Sequence, residues 1–344
     1  MNHGYGYGKE EESMLRQRQL IGCVLAVVMV LAGPLRGDIR AFDRVTFVPH
    51  WLPQAQFAGY YVAQDKGFYK KNGLEVTLVT GGPRVSSVHW LEEGKADFVS
   101  MWLTKGIQRR SVGVPIINLA QLINQSALML IAKKSGNIHT PQDMNGRKVG
   151  LWGDDFLIQP LAFFEKYNLN VIPVQQNATI NLFFQDGIDV TTAMWYNEYH
   201  TILNSGFNED ELVTFFFKDH GLNFPEDGIY CREEFYRKNE SLCRAFVSAT
   251  LEGWQYARQQ PEEALDIVIG YIKQAKLGYN KAHQRWMLHR MLDLIFSEGK
   301  TDRFERLSPE GYQLVAGQMK TAGLIKMVPD YRDFYKPIQT RESK

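Results

Sequence analysis

Three stretches decide the fold: Arg44-Val-Thr-Phe-Val48, then Trp51-Leu-Pro-Gln-Ala-Gln-Phe-Ala-Gly-Tyr-Tyr-Val-Ala-Gln-Asp-Lys-Gly-Phe-Tyr69, then Leu74-Glu-Val-Thr-Leu-Val79. The outer two are rich in β-branched residues and alternate as strands do. Pro49 and Pro53 break the chain after the first strand. From Phe57 onward Ala58, Tyr61, Val62 and Phe68 share one helical face. Asn72-Gly73 stops that helix. Strand, helix and strand form a βαβ unit with parallel strands and a right-handed crossover. In open α/β sheets ligands lie beyond the carboxyl ends of the strands and against helix N-termini. Trp51, Gln54, Gln56, Phe57 and Tyr60 are therefore expected at a binding mouth.

Outward from this unit, Gly81-Gly82-Pro83 turns into a helix over 84–92. Gly82 is either a plain turn glycine or a place where backbone N–H groups approach a ligand. It is not a phosphate loop, because neither G-x-x-x-x-G-K-[ST] nor G-x-G-x-x-G occurs. Strands are expected at Phe98–Trp102, 113–121, 128–131, 147–152, 171–174, 188–195 and 212–217, interleaved with helices over 156–167 and 180–185. The turn to polar composition at Lys133-Lys-Ser-Gly136 marks a first crossing into a second lobe. The loop Lys218-Asp219-His220-Gly221, with Pro225 and Asp227, returns to the first. From Glu233 the pattern is helical, with Leu242 to Arg258 a long amphipathic helix and Pro261 and Pro309 at helix starts. The expected division is a leader over 1–40, a first lobe over 41–130 plus 229–344, and a second over 131–228. The fold class is α/β: two lobes, each a mainly parallel sheet flanked by helices, with a ligand cleft between them.

A chain of 344 residues with 44% hydrophobic and 22% charged content is ordinary globular material. A formal net charge of +1 leaves no broad basic field, so nucleic acid is not an expected partner. The first residues are polar and end in Arg16 and Arg18, and Leu20 to Ala32 is an apolar run closed by Gly33-Pro34. That run is short for a spanning helix and suits a signal-peptide core, with cleavage between Gly33 and Phe42. An uncleaved membrane anchor is the alternative. Cys23 opens the apolar run rather than closing it, which argues against a lipoprotein site. Cys231 and Cys243 are either a disulfide of an oxidising compartment or two buried thiols.

Three expected strand ends carry Trp, namely Trp102, Trp152 and Trp195, and Trp51 closely follows a fourth. Any one of them suits a core, whereas four at one edge suit a cleft that stacks a planar heteroaromatic ring. Trp195-Tyr196-Asn197-Glu198 is the sharpest local cluster. A carboxylate at a helix start accepts hydrogen bonds from an amino-pyrimidine edge, and Asn197 donates or accepts beside it; the plain alternative is a Glu that favours the helix dipole. Asp154, with Asp155, is a ligand contact or a helix cap, and Asp219 a ligand contact or a turn residue. No metal-binding spacing and no cofactor motif is present.

The motif W-x-P-x-x-x-x-x-G-x-Y-x-A-x-x-x-G-F-Y-x-x-x-G-L-x-V resembles the opening of the NMT1/THI5-like (SsuA/THI5-like) periplasmic solute-binding proteins. The likeness continues through Glu93-Gly-Lys-Ala-Asp97, Gly113-Val-Pro115, Met144-Asn-Gly-Arg-Lys-Val-Gly150, Asp189–Trp195 and Arg244–Trp254. It implies a monomeric binding protein outside the cytoplasm that captures a small ligand, such as a thiamine-type pyrimidine precursor. The membrane permease and ATPase of an ABC importer would be its partners. The resemblance also implies two rivals: a ligand sensor working with a membrane signalling partner, and a degenerate pyrimidine synthase. Synthases of the family carry a Lys, and a His four residues on, after the G-K-x-D segment. The matching positions here are Met101 and Lys105, which leaves no Schiff-base lysine at the first and no His at the second. Gln54-Ala-Gln56-Phe57 departs from relatives that place a His there.

Overall fold

Valine, phenylalanine and threonine alternate through the first strand, and Val45 and Phe47 turn inward onto a core. The structure is a computed structural model and describes residues 42–296 and 306–338, together with Met1. The expected leader thus lies, past Met1, outside the described residues. The first lobe begins with β1 (Asp43–Val48), a 3-10 turn (Ala55–Phe57), α1 (Ala58–Asp65), α2 (Phe68–Lys71) and β2 (Leu74–Leu78). It continues with α3 (Ser87–Glu92), β3 (Phe98–Trp102), α4 (Leu103–Ser111) and β4 (Ile116–Gln121). The helix expected from residue 84 starts only at Ser87, because Ser86 accepts from the His89 N–H and caps it there.

The chain then crosses into a second sheet: β5 (Leu128–Lys133), β6 (Lys148–Leu151), a 3-10 turn (Asp154–Leu157), α5 (Ile158–Lys166) and β7 (Ile172–Gln175). Next come α6 (Asn181–Phe184), β8 (Val190–Met194), α7 (Glu198–Asn204) and β9 (Leu212–Phe216). It returns as β10 (Asp227–Arg232) and ends in α8 (Glu233–Lys238), α9 (Glu240–Gln259), α10 (Pro261–Gln274), α11 (Lys281–Ile295), α12 (Pro309–Thr321) and α13 (Tyr331–Phe334).

The two sheets have one plan, β2-β1-β3-β10-β4 and β7-β6-β8-β5-β9. In each, four strands run one way and the fourth position is filled by an antiparallel strand, β10 or β5. Those two strands are the ones entered from the crossings, so each sheet is completed by chain arriving from the other. The residue pairs 130/131 and 228/229, expected as boundaries, fall inside β5 and β10. Strand β10 is a correction to the sequence reading, which placed Asp227 in a return loop and assigned no strand before Glu233. Its first five residues are all buried, so the alternation that signals a half-exposed strand is absent.

Helix α9 crosses α1 at backbone distance. A Cβ on Gly253 would stand 2.1 Å from the Gly59 carbonyl oxygen, and one on Gly59 would stand 2.4 Å from the Trp254 ring. Only glycine permits this approach. Cys231 on β10 and Cys243 on α9 are free thiols, both buried. Among the described residues no helix is long and apolar enough to cross a membrane.

Candidate functional site

The two crossings run side by side and are bonded to each other. Glu226 N–H donates to the Ile123 carbonyl (2.9 Å), and the N–H groups of Leu122 and Ile123 donate to the Asp227 carbonyl (2.9 and 3.1 Å). Gln121, at the end of β4, donates its Nε2 to the carbonyls of Glu226 (2.9 Å) and Asp227 (3.1 Å). The backbone of Glu226-Asp227 is thereby fixed at the junction between lobes, and two carboxylates are carried there with it.

Asp227 faces the start of the chain. It sits opposite Trp102 in the β3–β10 register and is 4% exposed. Gln56 Nε2 donates to its Oδ2 (2.9 Å), and Gln54 Nε2 donates to Gln56 Oε1 (2.6 Å). His50 Nε2 lies 3.6 Å from Oδ1, too far for a hydrogen bond, and that oxygen has no protein partner. Ser100 of β3 holds the His50 ring, with Oγ 2.9 Å from Nδ1. Burial pushes the Asp227 carboxyl above its usual range, against the pull of His50 and the Gln56 bond. Burial also lowers the His50 pKa, with Asp227 opposing.

Glu226, fully buried, accepts from Ala127 N–H (2.7 Å) and Ser126 Oγ (3.1 Å) through Oε1, while Oε2 is unpartnered. Burial raises its carboxyl to about 8. Tyr60 stacks on Phe47 (4.4 Å between centroids), and its buried hydroxyl also lacks a protein partner. Asp227 acts on that hydroxyl and adds to the effect of burial in raising its pKa. Tyr196 is buried too, and Glu226, Asp227 and Glu198 all act on its phenol. Tyr196 thus lies within electrostatic reach of three carboxylates, Glu198 from the second lobe and the other two from the return crossing. Glu198 accepts from Met194 N–H (2.9 Å) and Asn197 Nδ2 (2.7 Å), and burial raises its carboxyl to about 7.

Aromatic rings bridge the seam. Phe156 of the second lobe meets Trp102 edge-on at 4.6 Å and Trp152 at 5.3 Å. Trp152 is tied by Nε1 to the Asn177 carbonyl (3.0 Å). Phe57 is buried and stands edge-on to His50 at 5.1 Å. Of the residues expected from sequence, Gln54, Gln56, Phe57, Tyr60 and Trp102 gather with Asp227, Glu198 reaches the same seam through Tyr196, and Trp152 joins through Phe156.

The remaining expected residues make other contacts. Trp195 packs at a different part of the interlobe junction, with the Arg290 guanidinium 4.7 Å from its ring. Asn197 lies beside it and bonds His283 of α11. Trp51 is 38% exposed. Gly82, at φ +131°, has its α-carbon against Leu52, where a Cβ would be 2.6 Å from Cδ2. Asp219 is exposed and pairs with Lys218 (2.8 Å). The side chain of Asp154 lies outside the described residues.

The profile described as NMT1/THI5 like matches residues 54–264, more than half of the chain. The chain belongs to the NMT1/THI5-like family. The riboflavin-binding protein RibY of Chloroflexus aurantiacus is 25% identical to this NMT1/THI5-like chain over 273 residues, covering 76% of this chain and 75% of RibY. The 4-amino-5-hydroxymethyl-2-methylpyrimidine phosphate synthase of Legionella pneumophila is 24% identical, covering 66% of this chain and 73% of the synthase. The periplasmic aliphatic sulphonate binding protein SsuA of Escherichia coli superposes with a TM-score of 0.67 at 15% identity, over 88% of this chain and 94% of SsuA. That likeness gives the fold: the two-lobe architecture of periplasmic binding proteins.

The sequence reading missed Glu226, His50 and His283 as site residues, named Tyr196 only as a member of the Trp195–Glu198 cluster, and had Asp227 only as part of a loop. Pro225-Glu226-Asp227-Gly228, an acidic pair at a turn just before the apolar triplet Ile229-Tyr230-Cys231, was the available signal.

Proposed function

We propose that this chain is an extracytoplasmic solute-binding protein whose lobes close on a small planar heteroaromatic ligand with an N–H-rich edge. The observation that carries the proposal is that three buried oxygens beside the return crossing, Asp227 Oδ1, Glu226 Oε2 and Tyr60 OH, make no hydrogen bond within the protein, while Asp227 acts electrostatically on both of the others. A buried acceptor left unpaired is costly, and a ligand donor that meets it recovers that cost. Asp227 and Tyr60 supply the polar contacts, and Trp102 with Phe156 supplies a flat apolar wall. Sulfonates, rich in acceptors and anionic, are the wrong chemistry for a seam lined by carboxylates. Relatives named for riboflavin and for a pyrimidine support a ring with amide or amino donors. By likeness to binding proteins of ABC importers, delivery to a membrane permease and ATPase follows.

Catalysis is not part of the proposal. Met101 is buried within β3 and has no amine, and Lys105 Nζ lies 3.2 Å from Gln108 on α4. The test is a thermal-shift screen of residues 42–344 with riboflavin, 4-amino-5-hydroxymethyl-2-methylpyrimidine, thiamine and an alkanesulfonate, paired with native mass spectrometry. A ligand that binds only the folded state raises the melting temperature. A rise with riboflavin or a pyrimidine and none with the sulfonate is the expected result. A rise with the sulfonate alone overturns the ligand class.

A further inference from the structure

Away from Asp227 the lobes are joined by α11, which follows the return to the first lobe. Its Gln284 Oε1 accepts the Ala55 N–H (2.8 Å), tying it to the turn ahead of α1. Its first turn faces α7 of the second lobe. There His283 Nε2 stands 2.9 Å from Asn197 Oδ1, while Asn197 Nδ2 donates to Glu198 Oε1 (2.7 Å). With the amide nitrogen committed to the carboxylate, the amide oxygen must face His283, so His283 Nε2 carries a hydrogen and donates it. The neutral ring then accepts at Nδ1 from His200 Nδ1, 3.0 Å away, which requires the Asn204 amide, 3.0 Å from the same His200 nitrogen, to turn its oxygen toward it. Trp286, one turn along α11, stacks on His200 at 4.8 Å and donates Nε1 to the Trp195 carbonyl (3.1 Å).

We propose that His283 is a positioning residue for ligand binding: from the first lobe it fixes the Asn197 amide and so holds Glu198 of the second lobe as a carboxylate at the seam. The role in binding rests on the seam being the ligand site, whereas the positioning of Glu198 does not. An amide N–H on a carboxylate favours its charged form. Burial has already brought Glu198 to about 7, so gain or loss of that one bond changes its charge near neutral pH. The ionisable groups around His283 are His200 and Glu198 on α7, and on its own helix Lys281, Arg285 and Arg290. On α10 they are Glu262 and Asp266, which pair with Arg285 and Lys281. Burial and the neighbouring His200 hold His283 down at about 4, so its ring is neutral where Glu198 titrates.

The test is a carboxyl 13C NMR titration of Glu198 in ligand-free wild type, His283→Ala and His283→Gln. The expected midpoint is about 7 in wild type, rises by roughly half to one pH unit in His283→Ala, and returns in His283→Gln, whose amide still donates to Asn197. One midpoint for all three proteins overturns the proposal, and so does a rise that Gln does not reverse. If circular dichroism finds His283→Ala unfolded, Asn197→Ala serves instead and must show the same rise. Riboflavin titration at pH 7 is the second arm, with Kd expected to rise about tenfold in His283→Ala and recover in His283→Gln. An unchanged Kd beside a moved midpoint overturns the link to binding. Failure of wild type to bind riboflavin or the pyrimidine defeats the ligand reading and leaves the NMR result to decide the positioning.

Discussion

Asp227→Asn separates what the seam does for ligand from what it does for stability. Asn keeps an oxygen for Gln56 Nε2, which now donates to Asp227 Oδ2 at 2.9 Å. It replaces the unpartnered Oδ1 by an NH2 group, so a ligand N–H that met an anionic acceptor meets a donor. A hydrogen bond to a charged group contributes about 1.5–3 kcal/mol, which is roughly a 10- to 150-fold loss of affinity. The folded state gains from the same change. Burial raises the Asp227 pKa, so the fold disfavours the charge that neutral pH imposes. A carboxyl whose folded pKa is raised gives stability that is whole below its unfolded pKa and is lost as pH rises through the folded value. Asp227→Asn is thus expected to melt at or above the wild-type temperature near pH 7, while its Kd by calorimetry with riboflavin or a pyrimidine rises at least tenfold. Wild-type affinity in this variant refutes the reasoning. So does a large fall in melting temperature, which makes Asp227 a structural anchor instead.

Three further outcomes are expected. Tyr60→Phe removes a hydroxyl that has no protein partner, so urea unfolding shifts by less than about 0.5 kcal/mol while ligand Kd rises several-fold; a large loss of stability contradicts this. The Glu226 carboxyl is raised from 4.5 to about 8, so wild type loses stability as pH climbs across that interval. Glu226→Gln flattens the profile measured as melting temperature from pH 5 to 9, and parallel profiles contradict the burial argument. Gly253→Ala forces a methyl to within 2.1 Å of the Gly59 carbonyl and is expected to cost about 1–3 kcal/mol or more in urea unfolding; a neutral result means α1 and α9 are not in backbone contact.

Local patterns carried most of the fold. The opening βαβ unit is legible because β1 and β2 alternate and Gly73 ends the helix between them. Strand β3 is legible because Phe98-Val-Ser-Met-Trp102 is a short, largely apolar run that follows the turn-like Gly94-Lys-Ala-Asp97. Strand β10 escaped because it is packed between β3 and β4 and buries its first five residues, which removes the alternating signal. The site divides along the same line. Gln54, Gln56, Tyr60 and Trp102 follow from their places at strand ends and helix starts. Asp227, the partner of Gln56, is 171 residues from it, and His283 is 86 from Asn197. No local pattern links such pairs; the exchange of strands at the two crossings does. The contact of Trp195 is long-range too, since its ring lies 4.7 Å from the Arg290 guanidinium at the interlobe junction.

The most direct test of the seam as the ligand site is a crystal structure of residues 42–344 with a ligand that the thermal screen selects. The expected density lies between the two sheets, its ring against Trp102, with a ligand nitrogen within hydrogen-bond distance of Asp227 Oδ1 and a second polar atom near Tyr60 OH. Density outside the seam, for instance in the open groove of about 400 Å³ lined by Glu165, Lys166, His220 and Gln318, contradicts it.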